Sequence, residues 1–90
     1  MEFRHRGLRR LAEHDDPSRL PPELLGRIRR ILAQLAAARS SRDMDLPGAR
    51  LHPLTGDRTG QWSVRVTSNW RIVFRFEEGV AVDVDLVDYH

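Results

Sequence analysis

Cysteine is absent from this sequence, which excludes disulfides, thiolate zinc sites and a cysteine nucleophile. Lysine is absent too, and all 15 residues in the Lys+Arg class are arginines. No apolar run approaches the roughly 18 residues that a membrane-spanning helix requires, so no membrane partner is expected. The opening Met1-Glu2-Phe3-Arg4-His5 lacks the apolar stretch of a signal peptide, and a cytoplasmic location is the expectation. Glycine-rich nucleotide cradles, a serine nucleophile elbow and paired glycosidase carboxylates are also missing. With 90 residues, the chain is expected to form one domain over 1–90.

Charge is present but unevenly spread. A net charge of +2 hides ten arginines and five acids in residues 1–42, and five acids without one arginine in residues 77–90. A planar guanidinium grips phosphate through two parallel bonds, whereas an ammonium acts as a point charge. Exclusive arginine usage also follows from the base composition of a genome, so basicity alone does not establish a nucleic-acid partner. The acidic end could also pair with the basic part of the same chain.

The pattern of apolar residues changes period along the chain. Leu8, Leu11 and Ala12 fall at helical spacing and predict a short amphipathic helix over 6–14, interrupted by Asp15-Asp16-Pro17-Ser18. Pro21-Pro22-Glu23 supplies a helix start. Leu24, Ile28, Ile31 and Leu35, joined by Leu25 and Leu32, extend that second helix to about residue 38. Residues 43–60 are rich in turn formers, with a short strand expected near Ala49–His52.

From Trp62 onward the period is two. Trp62, Val64 and Val66, then Trp70, Ile72, Phe74 and Phe76, then Val80, Val82, Val84 and Leu86, each define one apolar face. The fold class expected is therefore α+β, with two N-terminal helices packed on one face of a mainly antiparallel sheet. A three-residue loop at Thr67-Ser68-Asn69 places Val64 opposite Ile72 and Trp62 opposite Phe74. A three-residue loop at Glu77-Glu78-Gly79 would place Phe74 opposite Val82 and Ile72 opposite Val84. On the other face, that register predicts a row of Arg65, Arg71 and Asp85.

The chemistry-bearing residues gather around this hairpin. Opposed arginines repel, so Arg65 and Arg71 either fan into solvent or surround an anion, with Asp85 available to neutralise one. Thr55-Gly56-Asp57-Arg58-Thr59-Gly60 would lie near the end of the sheet and add Arg58, but it has neither the lysine nor the glycine spacing of a P-loop. His90 is the main candidate for proton transfer. Tyr89 could stack on a base or orient a ribose hydroxyl, and Asp88 could hold the imidazole or a cation. Read plainly, these residues are a polar tail, His52 is a loop residue and His5 an ordinary surface residue. The histidines show no metal-ligand spacing, so neither metal nor cofactor is expected. A metal-free RNA cleavage fits what remains, because the ribose 2′-hydroxyl is itself the nucleophile.

The segments Phe3-Arg4-His5-Arg6-Gly7-Leu8, Leu46-Pro47-Gly48, Leu51-His52-Pro53-Leu54 and Gly56-Asp57-Arg58 resemble HigB-type toxins of the RelE/ParE superfamily. So do the Arg27–Leu32 helix segment, Gly60–Val66, Asn69–Phe76 and the closing Asp88-Tyr89-His90. The resemblance covers nearly the whole chain. It implies a RelE-like fold and a bacterial type II toxin that cleaves messenger RNA in the ribosomal A site. It also implies an active-site group of Arg65, Arg71, Asp88, Tyr89 and His90, with His52 and Arg58 binding RNA. An antitoxin of the helix-turn-helix kind is implied as partner, in a heterotetramer that reaches operator DNA only through the antitoxin, and the free toxin is expected to be monomeric. The competing readings are a ParE-like inhibitor of DNA gyrase and a nonenzymatic RNA-binding regulator. Neither needs the proton-transfer group that His90 offers.

Overall fold

A computed structural model describes residues 1–88, so Tyr89 and His90 lie outside the described residues. Helix α1 (Arg6–His14) begins where His5 adopts extended backbone and its Nδ1 accepts the Leu8 N–H at 3.2 Å. His5 is thus a half-buried helix cap rather than an ordinary surface residue. Gly7 makes this possible, since a Cβ there would lie 2.9 Å from the His5 ring and 3.2 Å from the Arg19 carbonyl oxygen. The helix stops at Asp15, whose φ of 52° turns the chain left-handed.

Asp16 holds the next turn. Its carboxylate accepts the Ser18 N–H at 3.0 Å and the Arg10 Nε–H at 2.9 Å. Bonding to the Ser18 hydroxyl and N–H, then to Arg10, lowers its pKa from 3.8 to about 2. A lowered folded-state pKa contributes stability above the ordinary carboxylate value, and that contribution is lost as pH falls through the folded value. Asp16→Asn should therefore flatten the acid limb of stability between 3.8 and about 2. Urea midpoints measured across that window check this, and an acid limb as steep as the wild type's would refute it.

Helix α2 (Leu25–Ala37) follows a tighter turn at Pro22–Leu24, closed by the Leu25 N–H on the Pro22 carbonyl. The helical structure expected from Pro21 is therefore a single 3-10 turn before the α-helix proper. Leu24, Ile28, Ile31, Leu32 and Leu35 are all buried. They meet Val64, Ile72, Phe74, Val84 and Leu86 of the sheet, and Val66 just beyond Arg65, in one core.

Four strands run antiparallel in sequence order: β1 (His52–Pro53), β2 (Trp62–Arg65), β3 (Trp70–Glu77) and β4 (Val80–Asp88). The strand expected near 49–52 is shorter and later, with Pro53 pairing Trp62 at a sheet edge, where a missing N–H does least harm. The β2–β3 register is as expected, with Trp62 opposite Phe74 and Val64 opposite Ile72.

The β3–β4 register is not. Glu77 pairs with Val80, so the turn has two residues, Glu78 and Gly79, both left-handed at φ 51° and 77°. Phe76 then meets Ala81, which faces the core, while Val80 is exposed. Asp83, at φ 54°, forms a bulge between the Arg75 and Val73 pairings and restores Val84 and Leu86 to the core side. Beyond it Ile72 pairs with Leu86 and Arg71 with Val87. The expected row of Arg65, Arg71 and Asp85 is corrected to Arg65, Arg71 and Val87.

Two further features fall outside the sequence expectation. Residues 2–4 run parallel to β4, with the Val84 N–H donating to the Glu2 carbonyl and the Arg4 N–H to the Val84 carbonyl. The sheet face away from the helices is also partly roofed. There Leu54, Ser63, Val73 and Val82 are buried, and the three apolar residues lie outside the main core.

Candidate functional site

Antiparallel pairing decides which side chains meet on that second face. Arg65 stands directly opposite Arg71, and Arg71 opposite Val87. The adjoining row runs His52, Ser63, Val73, Asp85. The two guanidinium groups thus share a surface floored by the buried Ser63 and Val73 and bounded by β1 on one side and the end of β4 on the other. Both arginines are half-buried, and the Arg71 Nε is shielded from solvent. Asp85 lies in the next row, where its carboxylate accepts the Leu86 N–H at 2.9 Å.

The loop after β1 forms the roof. Leu54 turns inward, and its N–H donates to the Gln61 carbonyl at 2.9 Å, closing residues 54–61 into a compact flap. Within it Thr59 Oγ1 donates to the Gly56 carbonyl at 2.7 Å, and Arg58 Nη1 donates to Gln61 Oε1 at 3.3 Å. Under this flap is a cavity of about 300 Å³ whose walls include His52, Leu54, Arg58, Val73, Val87 and Asp88.

The structure therefore brings His52, Arg58 and Asp88 together around one cavity. Val87 joins that cavity to the Arg65–Arg71 row. Tyr89 and His90, the other two residues expected in the site, lie outside the described residues but follow Asp88 directly in sequence. Among the described residues, no three histidine, aspartate and glutamate side chains converge as a metal site would require. No described helix is long and apolar enough to cross a membrane.

The face sets Arg65 beside Arg71, with the His52 imidazole and the Asp88 carboxylate at the adjoining cavity. Such a surface can orient a phosphodiester and stabilise charge on it. Sequence reasoning missed Leu54 and Val73 as the apolar lining. The available signal was Val73 itself, an apolar residue among arginines on the side of β3 read as polar.

With this arrangement, the helices on one side and a cationic site on the other define a RelE-like toxin fold. A solved YoeB/ParE toxin from Agrobacterium tumefaciens is similar to it, with a TM-score of 0.55 over 100% of this chain and 99% of that one at 20% identity. The family description "RelE-like toxin of type II toxin-antitoxin system HigB" matches residues 1–90, and the chain belongs to that family. Among curated relatives, the endoribonuclease HigB of Proteus vulgaris is 39% identical over 98% of this chain and 96% of its own length. Toxin HigB-1 of Vibrio cholerae serotype O1 is 33% identical over 96% and 93%.

Proposed function

We propose that this chain is an endoribonuclease toxin that cleaves translated messenger RNA in the ribosomal A site. The observation that carries this reading is the Arg65–Arg71 pair on one face, with Val87 and Asp88 leading from it into Tyr89-His90. The relative in Proteus vulgaris named as an endoribonuclease supports it.

The ribose 2′-hydroxyl attacks the adjacent phosphorus and gives up its proton to a base. As that P–O bond forms, the bond to the 5′-oxygen breaks, and an acid protonates the departing oxygen. Arg65 and Arg71 hold the phosphate and stabilise the added charge of the pentacovalent state. His90 is the base or the acid. Asp88 and Tyr89 orient it or the ribose, while His52 and Arg58 hold the RNA beside it. The nucleophile belongs to the substrate, so the reaction draws on no cofactor. Deoxyribose has no 2′-hydroxyl and is not cut.

A cognate helix-turn-helix antitoxin neutralises the enzyme in a heterotetramer that contacts operator DNA through the antitoxin. The free toxin is a single-domain monomer acting in the cytoplasm, where the ribosomes are.

The test is primer-extension mapping of a reporter message in a reconstituted translation reaction, with and without ribosomes, for wild type and His90→Ala. Cuts at codon positions are expected only when ribosomes are present, and they should be largely lost in the variant. An intact message with folded wild-type protein would overturn the nuclease reading and direct the next assay to gyrase. Equal cutting by His90→Ala would remove His90 from the chemistry.

A further inference from the structure

A second basic cavity, of about 410 Å³, lies between α2 and residues 46–49. Arg27 and Arg30, one helical turn apart on α2, line it together with Arg65 at the end of β2. Its apolar lining includes Ile31, Ala49 and Val66, and among the described residues no acid lines it. The cavity between α1 and α2 differs, because there Arg29 is neutralised by Asp15 at 2.7 Å. Arg27 is pinned in place, since its Nη1 donates to the Val66 carbonyl at 2.7 Å, yet a guanidinium has five N–H donors and most remain for another acceptor. Among the described residues, Arg30 makes no ion pair.

Arg65 decides what this cleft is for. It is the residue paired with Arg71, and it is also part of the cleft wall. We infer that the cleft carries the RNA backbone away from the cleaved phosphate, with Arg27 and Arg30 contacting phosphates that flank it. This inference rests on the nuclease reading of the Arg65–Arg71 face. Among the described residues no aromatic side chain lines the cleft, which suits a grip on the phosphodiester chain that contributes affinity irrespective of sequence. An acidic peptide would suit the same charges, but it would leave the connection through Arg65 to the anion site unused.

The experiment is fluorescence anisotropy with short single-stranded 2′-O-methyl oligonucleotides of adenine or uracil, which cannot undergo 2′-hydroxyl attack, over a series of salt concentrations. Arg30→Gln is expected to flatten the dependence of log affinity on log salt by about 0.7, the value for one phosphate contact on a single strand. Both homopolymers should weaken by the same factor. Arg27→Gln should flatten the slope similarly. Arg9→Gln, a substitution on the exposed side of α1, should leave it unchanged, with folding of every variant checked by circular dichroism. Unchanged slopes in both α2 variants would overturn the proposal, as would Arg30-dependent binding of a polyglutamate peptide without any change in RNA binding. The two readings fail separately. Message cleavage with unchanged slopes defeats the cleft alone, and Arg30-dependent slopes without message cleavage defeat the nuclease alone.

Discussion

Replacing Arg71 with alanine is expected to lower message cleavage about 10²–10³-fold, the usual effect of removing a preorganised group that stabilises transition-state charge. Arg71 is a better subject than Arg65 because it lies in the third strand, paired on both sides, with its Nε out of contact with water. A position fixed by two neighbouring strands loses little freedom when the phosphate arrives. Lysine would restore charge without the planar fork, so Arg71→Lys should recover only part of the rate. Arg65 and Arg71 face each other directly, and like charges so placed repel, so a phosphate between them relieves that repulsion. Single-turnover cleavage on programmed ribosomes, read beside thermal melts, checks both statements. Wild-type cleavage by folded Arg71→Ala protein would remove this arginine from the mechanism.

Phe74→Ala is expected to cost about 3–5 kcal/mol of stability, as large-to-small changes at fully enclosed aromatic positions do. Phe74 is wholly buried and belongs to the main core. Its ring also meets Phe76 edge to face, at 5.8 Å between centroids and 86° between planes, a contact the truncation removes. Against total stabilities of roughly 5–15 kcal/mol, the loss is a large fraction. At about 4–8 °C per kcal/mol for a chain of this size, the melting point should fall by more than about 12 °C. Phe74→Leu keeps most of the apolar volume and should lose far less. Urea titrations give the difference directly, and a loss below about 1 kcal/mol would mean that the core does not close around this ring as described.

The helices were readable because each presents an unbroken apolar stripe, and Leu24, Ile28, Ile31 and Leu35 all point inward. The β2–β3 register was readable because only an odd loop sets the apolar faces together, and that set Arg65 against Arg71. The next hairpin misled for a physical reason. Glu77-Glu78-Gly79 permits either a two- or a three-residue turn, and a bulge leaves no mark on composition when an aspartate can adopt its left-handed backbone. The valines of β4 look like one continuous alternation, although Val82 and Val84 face opposite sides of the sheet. Residues 2–4 were invisible as a strand because three residues are too few to display a period. The meeting of His52, Arg58 and Asp88 depends on how the 54–61 flap folds back, which no local pattern encodes.

The bulge at Asp83 makes β4 a strand of two phases. Ala81 faces the helices before it, and Val84 and Leu86 face them after it, half a period apart. Everything downstream takes its facing from the second phase, including Val87 beside Arg71 and the Asp88 that leads into Tyr89-His90. Asp83 is the extra residue, set with Val84 against the single Phe74 of β3. Loss of its codon would place Val84 opposite Phe74 and leave Asp85, Leu86 and Val87 opposite Val73, Ile72 and Arg71, so the strand's end would keep its facing. The bulge is therefore the point at which β4 can absorb a one-residue change of length without moving the arginine row.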